Sequence, residues 1–485
     1  MLALEFEEKS EAPLSEYSVR VEFAEGCEVE AAGDDEGREA NYPAQVGVDE
    51  LHELGIDGEG VTIAILDTGY WSHGQIKRGR HGQDRVLAAY DAIKDKKDAK
   101  DENGHGTHIA SIVVASDKRK DKKKEGIERF AGIAPSASLV VVRAFDEDGA
   151  GTYSDVIRGI DWIVQHREEY GIRVLNASFS APVRSPYWDD PINLAVMKAW
   201  EAGIVVVTSA GNTGPDPMSV GVPGNLPYVV TVGAITDNYT PADPGDDRVA
   251  SFSAAGPTYE GFVKPDVVAP GGHIIGIMKK DSKIGKQHPR FASPYKELFM
   301  MSGTSQSTAV VSGIAALMLQ ADPSLTPDDV KCGLMATARP AAAPDGTTPY
   351  SVFQQGAGLV NAHDAVAGGQ TGCANGGLDV ALDLAGIQHY GGPATQDETG
   401  RFVLLDETGN GTTWDGGWSG SDGFQWSNGY PWSDGYPWSN GYPWSDGYPW
   451  SNGYPWNDSY PWSDGYPWSA SLAEAASVNV WVPQE

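Results

Sequence analysis

Three side chains in this sequence are of the types that together perform acyl transfer. Asp67 follows the apolar run Val61–Leu66, His105 begins a stretch with apolar residues at helical spacing, and Ser305 precedes the apolar run Ala309–Leu319. A carboxylate, an imidazole and a hydroxyl can serve as orienting acid, general base and nucleophile. The sequence therefore predicts this chemistry if the fold brings the three residues together.

The surroundings of Ser305 favour a nucleophile. Gly303 permits a tight turn, and Thr304 and Ser305 suit the first positions of a helix. The N–H groups of a first turn and the positive end of the helix dipole stabilise negative charge that develops nearby. A Gly-Thr-Ser tripeptide is also the pattern of an ordinary helix cap, so this assignment depends on the rest of the chain.

Three other classes of site share parts of the pattern. His105 and His108 form a His-x-x-His pair, but the third ligand and the nearby glutamate typical of such zinc sites are missing, and a structural hydrogen bond is the better interpretation of His108. The Asp-Thr-Gly at Asp67 occurs once, whereas an aspartic protease needs two such carboxylates. Ser305 lies in GTSQS, which differs from the G-x-S-x-G of α/β-hydrolases.

The elements that must position these residues alternate between strands and helices. Runs that are apolar throughout indicate a parallel sheet buried on both faces, and helical spacing marks the segments between them. Predicted strands are Val61–Leu66, Leu139–Arg143, Arg173–Ala177, Ile204–Thr208 and Tyr228–Val232, and predicted helices are Asp49–Leu54, Ser154–Arg167, Pro191–Ala202 and one from Thr326 to Thr337. The predicted fold class is α/β with a mainly parallel sheet.

Composition excludes several kinds of function. The 485 residues include 35 basic and 67 acidic side chains, a net charge of −32, which argues against nucleic acid as a partner. The sequence has no apolar stretch long enough for a transmembrane span, and MLALEFEEKSEA lacks the pattern of a signal peptide. Three cysteines are too few for a disulfide scaffold, but they allow one bridge between Cys332 and Cys373.

Composition also divides the chain. Residues 1–41 form an acidic extension or partial pro-segment with one strand-like run, 42–366 the main domain, and 367–410 a Gly-rich connector with strand character at Phe402–Leu405. Residues 411–470 repeat YPWSDG or YPWSNG as an aromatic low-complexity tail, and 471–485 form a C-terminal segment. The tail is either a spacer or a surface that binds carbohydrate or cell wall through stacked rings.

Four motif blocks now stand in order: ILDTGY, NGHGTHIAS, TSAGN and SGTSQS. Over residues 42–366 the chain resembles the subtilisin-like serine proteases of the subtilase family. The resemblance implies a three-layer α/β/α sandwich in which Asp67 orients the imidazole, His105 is the base and Ser305 attacks the peptide carbonyl. It also implies that Asn212, in TSAGN, donates to the oxyanion together with the Ser305 backbone N–H.

The resemblance places substrate binding at Ser178, Phe179 and Ser180, where the family has Ser-Leu-Gly, and at Gly221. Ser180 replaces a glycine, so its bulk is expected to narrow the cleft or shift the substrate. Gly221 carries no charge, which favours substrates with apolar side chains at the cleaved bond. Ala309 stands where the family has a proline.

The resemblance also bears on calcium. His73-Gly74-Gln75-Ile76 replaces the family segment that supplies a calcium carboxylate, so the usual strong calcium site is expected to be missing. No cofactor is expected to be required. Calcium binding elsewhere is left open, with no ligands to name.

Two functions from different classes follow. The first is an extracellular or cell-surface endopeptidase acting on proteins or peptides. The second is a non-catalytic adhesion protein that keeps the protease fold and binds through its tail. Loss of a triad residue would favour the second, and Asp67, His105 and Ser305 are all present.

Overall fold

The apolar runs of the sequence pair as strands of one sheet. In the computed structural model, the described residues are 41–116, 132–293, 297–341 and 349–405, apart from 81, 241–243 and 399, together with 411–412, 436–437, 475–477 and 482. The strands are β1 Thr62–Asp67, β2 Val86–Asp91, β3 Ser138–Arg143, β4 Ala150–Thr152, β5 Ile172–Ala177, β6 Val205–Ser209, β7 Val230–Thr236, β8 Arg248–Val249, β9 Val267–Pro270, β10 Ile274–Ile277, β11 Leu298–Met301, β12 Tyr390–Gly391, β13 Ala394–Gln396, β14 Phe402–Leu405, β15 Gly411–Thr412, β16 Tyr436–Pro437 and β17 Ala475–Ser477.

Helices connect these strands. They are α1 Tyr42–Gln45, α2 Val48–Glu53, α3 Gly74–Lys77, α4 His105–Val114, α5 Tyr153–Gln165, α6 Arg167–Tyr170, α7 Pro191–Glu201, α8 Lys283–Gln287, α9 Thr304–Ala321, α10 Pro327–Ala336, α11 Val352–Gln355, α12 Ala362–Ala367 and α13 Val380–Leu384. Short 3₁₀ turns lie at Tyr187–Asp189, Pro244–Asp246 and Pro289–Phe291. No helix among the described residues has the length and apolar character needed to cross a bilayer.

The central sheet has eight strands in the order β2-β3-β1-β5-β6-β7-β8, with β9 also paired to β7. Its pairs are parallel except for β7 with β8. All six residues of β1 are buried, and side chains alternate between the faces of a strand, so protein covers both faces. Helix α4 packs against α9 and α5 against α7, and the predicted α/β/α architecture is confirmed.

Helix α9 runs through the protein interior. Its residues from Thr304 to Leu319 are all buried, and it contacts β5, β6, β7 and β9. A helix with apolar residues on all sides needs such a position, which explains the continuous apolar run after Ser305.

Packed structure continues beyond Val366, where the sequence predicted that the ordered domain ends. Cys373 is bonded to Cys332 of α10, with 5.1 Å between their Cα atoms. The Asp383 carboxylate of α13 accepts hydrogen bonds from Tyr187 (2.6 Å) and Tyr228 (2.8 Å). The disulfide is the bridge that the sequence allowed, whereas the contacts of Asp383 join partners far away in sequence and had no sign in the composition.

Some predictions lie largely outside the described residues. Residues 1–40, the Lys-rich run 117–125 and nearly all of the repeat 411–470 fall there. The roles of the N-terminal extension and of the tail therefore stay predictions, as does location outside the cell. The strand predicted at Phe402–Leu405 is present as β14.

Candidate active site

Three of the predicted site residues lie at one edge of the central sheet. Asp67 is the last residue of β1, Ser178 follows β5, and Asn212 lies three residues beyond β6. These strands are parallel neighbours, so their carboxyl ends meet at the same edge. The first turn of α9, which carries Ser305, contacts Ser178 and Asn212 there.

Asp67 and His105 form a buried pair. The distance between Asp67 Oδ1 and His105 Nδ1 is 2.8 Å, and the two side chains are 0% and 3% exposed. Asp67 Oδ1 also accepts from the Thr68 backbone N–H at 2.7 Å. A β-carbon on Gly106 would lie only 2.2 Å from the Gly69 carbonyl oxygen, so a glycine lets α4 approach this turn closely.

Two side chains that the sequence analysis missed hold His105 in place. The Asp101 carboxylate accepts from the Gly104 and Thr107 backbone N–H groups, at 2.8 and 2.9 Å. The Asn103 side chain accepts from the His105 backbone N–H at 3.1 Å. The local signal was weak, because the N-cap of α4 is Gly104, which has no capping side chain, and Asp101 lies three residues before it.

Ser305 is the second residue of α9 and is 1% exposed. Its Oγ donates to the Ser178 carbonyl oxygen at 3.1 Å, and the Ser178 hydroxyl donates to the Ser305 carbonyl oxygen at 3.2 Å. The nucleophile candidate and the predicted substrate segment are therefore in direct contact.

Asn212 is fixed by the residue before Ser305. Its Oδ1 accepts from both the backbone N–H and the hydroxyl of Thr304, each at 2.9 Å. Gly303 has a φ of +155°, and a β-carbon there would lie 3.1 Å from Asn212 Nδ2. The amide of Asn212 thus lies against the turn that carries Ser305, with its oxygen bound to Thr304.

The predicted substrate residues form one cluster. Phe179 is fully buried, and its ring centroid lies 5.2 Å from that of Phe145. The next residue, Ser180, lies beside two glycines: a β-carbon on Gly211 would be 3.3 Å from its Oγ, and one on Gly221 would be 2.2 Å from it. The Ser180 hydroxyl therefore fills space next to Gly221.

The partner of His108 is a backbone carbonyl. His108 is fully buried and its Nε2 lies 3.1 Å from the Phe299 carbonyl oxygen, which is the structural hydrogen bond that the sequence predicted. Because a carbonyl only accepts, Nε2 carries the proton. Burial lowers the pKa of His108 to about 3, so its ring is neutral at physiological pH.

The segment that replaces a family calcium ligand folds as the start of α3. His73 Nδ1 accepts from the Gln75 backbone N–H at 3.4 Å, and its Nε2 pairs with Glu297 at 2.9 Å. Within the described ranges, no group of three or more His, Cys, Asp or Glu side chains is placed to hold a metal ion. The predictions about calcium and cofactors stay predictions.

Comparisons with known proteins identify the family of the chain. Residues 58–358 match the model of the subtilase family, Peptidase_S8. Serine protease AprX of Bacillus subtilis (strain 168) is 39% identical over 320 residues, which cover 64% of this chain and 67% of AprX. Subtilisin DY of Bacillus licheniformis is 30% identical over 319 residues, covering 65% of this chain and 94% of the relative. The chain therefore belongs to the subtilase family and is a subtilisin-like serine endopeptidase.

Proposed function

We propose that the chain hydrolyses peptide bonds through Asp67, His105 and Ser305, with an acyl-enzyme intermediate on Ser305. The observation that carries this proposal is the buried Asp67–His105 pair at 2.8 Å. A carboxylate on one ring nitrogen leaves the other nitrogen to act as a base, and it stabilises the positive ring that forms when the base takes a proton.

The tautomer of His105 follows from its partner. An ionised carboxylate only accepts hydrogen bonds, so the proton of the neutral ring lies on Nδ1, which faces Asp67. Nε2 then carries the lone pair and can take the proton of Ser305. Asp67 stays ionised throughout.

The reaction then proceeds in two halves. Ser305 Oγ bonds to the carbonyl carbon while His105 takes its proton, and His105 returns that proton to the leaving amine as the peptide C–N bond breaks. Water next attacks the ester carbon, again giving a proton to His105. That proton returns to Ser305 Oγ as the ester bond breaks, and the acid product leaves.

Asn212 is proposed as an oxyanion donor together with the Ser305 backbone N–H. The bonds from Thr304 hold Asn212 Oδ1, so the Nδ2 end of the amide is fixed in direction. A donor that is already oriented stabilises the charge of the transition state without reorganising during the reaction. Helix α9 adds the positive end of its dipole at the same place.

Ser178–Ser180 and Gly221 are proposed to bind the substrate beside the cleaved bond. The Ala181 and Val222 backbones exchange two hydrogen bonds, of 2.9 and 2.8 Å, so these segments are held together. Ser180 narrows the space at Gly221, and no charged side chain is among these residues. We therefore propose apolar side chains of limited size at the cleaved bond.

Labelling with a serine-directed fluorophosphonate tests the proposal. The wild type should be labelled and Ser305→Ala should not. The matched control is Ser307→Ala in the same helix, whose hydroxyl donates to the Ala269 carbonyl at 3.0 Å and which should still be labelled. Absence of labelling in a folded wild type would favour the non-catalytic adhesion protein. If Ser305→Ala were labelled as strongly as the wild type, the nucleophile would be a residue other than Ser305.

A further inference from the structure

A strand from the end of the chain pairs with a short strand in the main domain. Strand β17 (Ala475–Ser477) is antiparallel to β4 (Ala150–Thr152), with Ala475 opposite Thr152 and Ser477 opposite Ala150. These two strands form a sheet of their own. An edge strand such as β4 offers backbone N–H and C=O groups to any extended peptide.

Strand β4 lies between the segments that carry Ser178 and His105. On one side, a β-carbon on Gly151 would be 2.9 Å from the Phe145 ring, which packs against Phe179. On the other side, the Glu147 carbonyl just before β4 accepts from Asn103 Nδ2 at 3.0 Å, and Asn103 holds the His105 backbone. A peptide on β4 is therefore at the active site.

The end of the chain has a second buried contact. Val482 is 4% exposed and packs with Ala234, Ala250 and Phe252. The Phe252 carbonyl accepts from the Gly214 backbone N–H at 2.9 Å, two residues after Asn212. Among the described residues, the end of the chain thus contacts β4 and α5. It also contacts Phe252, whose carbonyl holds the loop that follows Asn212.

The side chain of Ala476 makes the pairing of β17 with β4 specific. It is fully buried and belongs to the main hydrophobic core, although it comes from the far end of the chain. Six residues in extended form reach up to about 20 Å, so one short peptide can make both contacts across an active site.

We propose that the C-terminal segment, defined as Ala475–Ser477 with Val482, is an intramolecular peptide ligand that competes with substrate for β4. The inference rests on the proposed function, since it assumes that substrate binds beside Ser178–Ser180. Backbone pairing supplies the affinity, and the buried side chain of Ala476 supplies the selectivity. The tether makes this binding independent of protein concentration.

Kinetics of Ala476→Arg in the full chain test the competition. A long charged side chain does not fit a fully buried alanine position, so the segment should leave β4. KM for a peptide substrate should fall by roughly threefold or more, because a tethered competitor is removed, while kcat stays the same. Leu54→Arg, at a position 71% exposed, is the matched control and should keep the wild-type KM. Wild-type KM in Ala476→Arg would overturn the inference.

Peptide binding tests the same inference without turnover. A fluorescein-labelled peptide of residues 473–485 is titrated into Ser305→Ala chains with and without Ala476→Arg, and its anisotropy is measured. The peptide should bind more tightly to the chain with Ala476→Arg, because the tethered segment of that chain has left β4. Equal affinity, or no binding to either chain, would overturn the inference. Fluorophosphonate labelling is measured separately in chains that keep Ser305, and a folded Ala476→Arg chain with Ser305 intact that fails to react would instead contradict the proposed function.

A folding control completes the design. Melting curves verify that Ala476→Arg is folded, and Ala476→Asp repeats both measurements with a shorter side chain. Both variants should behave alike, because each adds charge to a buried position.

Discussion

The two histidines of α4 lie one helical turn apart but face different regions of the molecule. His105 faces the edge of the sheet, where Asp67 is 2.8 Å away. His108 faces the packed interior, where its partner is the Phe299 carbonyl at 3.1 Å. Both side chains are almost completely buried.

Burial therefore does not separate the catalytic candidate from the structural residue. The charge of the hydrogen-bond partner separates the two residues. A carboxylate compensates a positive ring, whereas a carbonyl gives little compensation for the lost hydration, and burial lowers the pKa of His108 to about 3. Of the two rings, only that of His105 has a carboxylate beside it, as the proposed general base requires.

The largest expected effect comes from removing Ser305 or His105. Ser305→Ala or His105→Ala should lower kcat by roughly 10⁶-fold, the loss known for subtilisin, a member of the same family. Asp67→Ala should cost less, and double variants should be scarcely worse than the worst single one, because the residues act as a unit. Steady-state kinetics with a melting curve for each variant make the measurement. If the losses in kcat of the single variants added up in the double variants, His105 would not act through Ser305. The contrast between His105 and His108 would then fail.

The next effect concerns Asn212, which holds Thr304 through its Oδ1 and is proposed to bind the oxyanion through its Nδ2. Asn212→Leu should lower kcat by roughly 10²–10³-fold with little change in KM, on the scale known for the oxyanion asparagine of subtilisin. It should also destabilise the fold by about 1–3 kcal/mol, because the buried Thr304 N–H loses its acceptor.

Asn212→Asp separates the two roles. A carboxylate still accepts from Thr304, so stability should stay near that of the wild type, while the lost amide donor should keep kcat low. Denaturant unfolding and kinetics on the same samples give both numbers. A folded Asn212→Asp with wild-type kcat would remove Asn212 from oxyanion binding.

A smaller effect is expected at Ser180. Ser180→Gly removes the hydroxyl that fills space beside Gly221, so substrates with large apolar side chains at the cleaved bond should gain roughly tenfold in kcat/KM. Substrates with alanine there should change little and serve as the control. Steady-state kinetics with two peptides that differ only in this side chain measure the effect. An equal change in kcat/KM for both peptides would show that Ser180 does not contact the side chain at the cleaved bond.

The smallest effect on turnover is expected at His108. His108→Leu should keep kcat/KM within about twofold for folded protein, because His108 does not touch the reacting atoms. The free energy of unfolding at pH 8 should fall by about 1–3 kcal/mol, since the Phe299 carbonyl loses its donor.

The pH dependence of His108 sharpens this prediction. The unfolded chain takes up a proton below its ordinary pKa of 6.5, while the folded ring stays neutral down to about 3. Wild-type stability should therefore fall as pH drops below 6.5, by about 1.4 kcal/mol per pH unit from this residue, and His108→Leu should lack that part.

Urea unfolding makes the comparison between pH 8 and pH 5. It is best done in Ser305→Ala chains, in which self-digestion does not interfere. The stability difference caused by His108→Leu should shrink at pH 5. A constant difference would show that His108 is protonated in the folded state, and the contrast with His105 would fail.

The sequence by itself determined the fold class and the main candidates for chemistry. Asp67, His105 and Ser305 are recognisable because each lies at a boundary that local patterns mark: the end of an apolar strand or the start of a helix. The bounds of β1, β5, α7 and β6 in the structure differ from the predicted ones by one residue or less at each end, because each is a continuous apolar or helically spaced run. Strand β2 was missed because its residues are only partly buried and its segment is rich in Lys and Asp.

Tertiary structure alone decided everything that depends on partners distant in sequence. The hydrogen bonds of Asn212 to Thr304, the packing of Ser180 beside Gly221 and the pairing of β17 with β4 join residues that share no local pattern. Local spacing records which face of a helix or strand is apolar, but it carries no information about which other segment covers that face. The two histidines of α4 show the limit: local spacing alone treats them alike, and it is the resemblance and the folded chain that give one a carboxylate and the other a carbonyl.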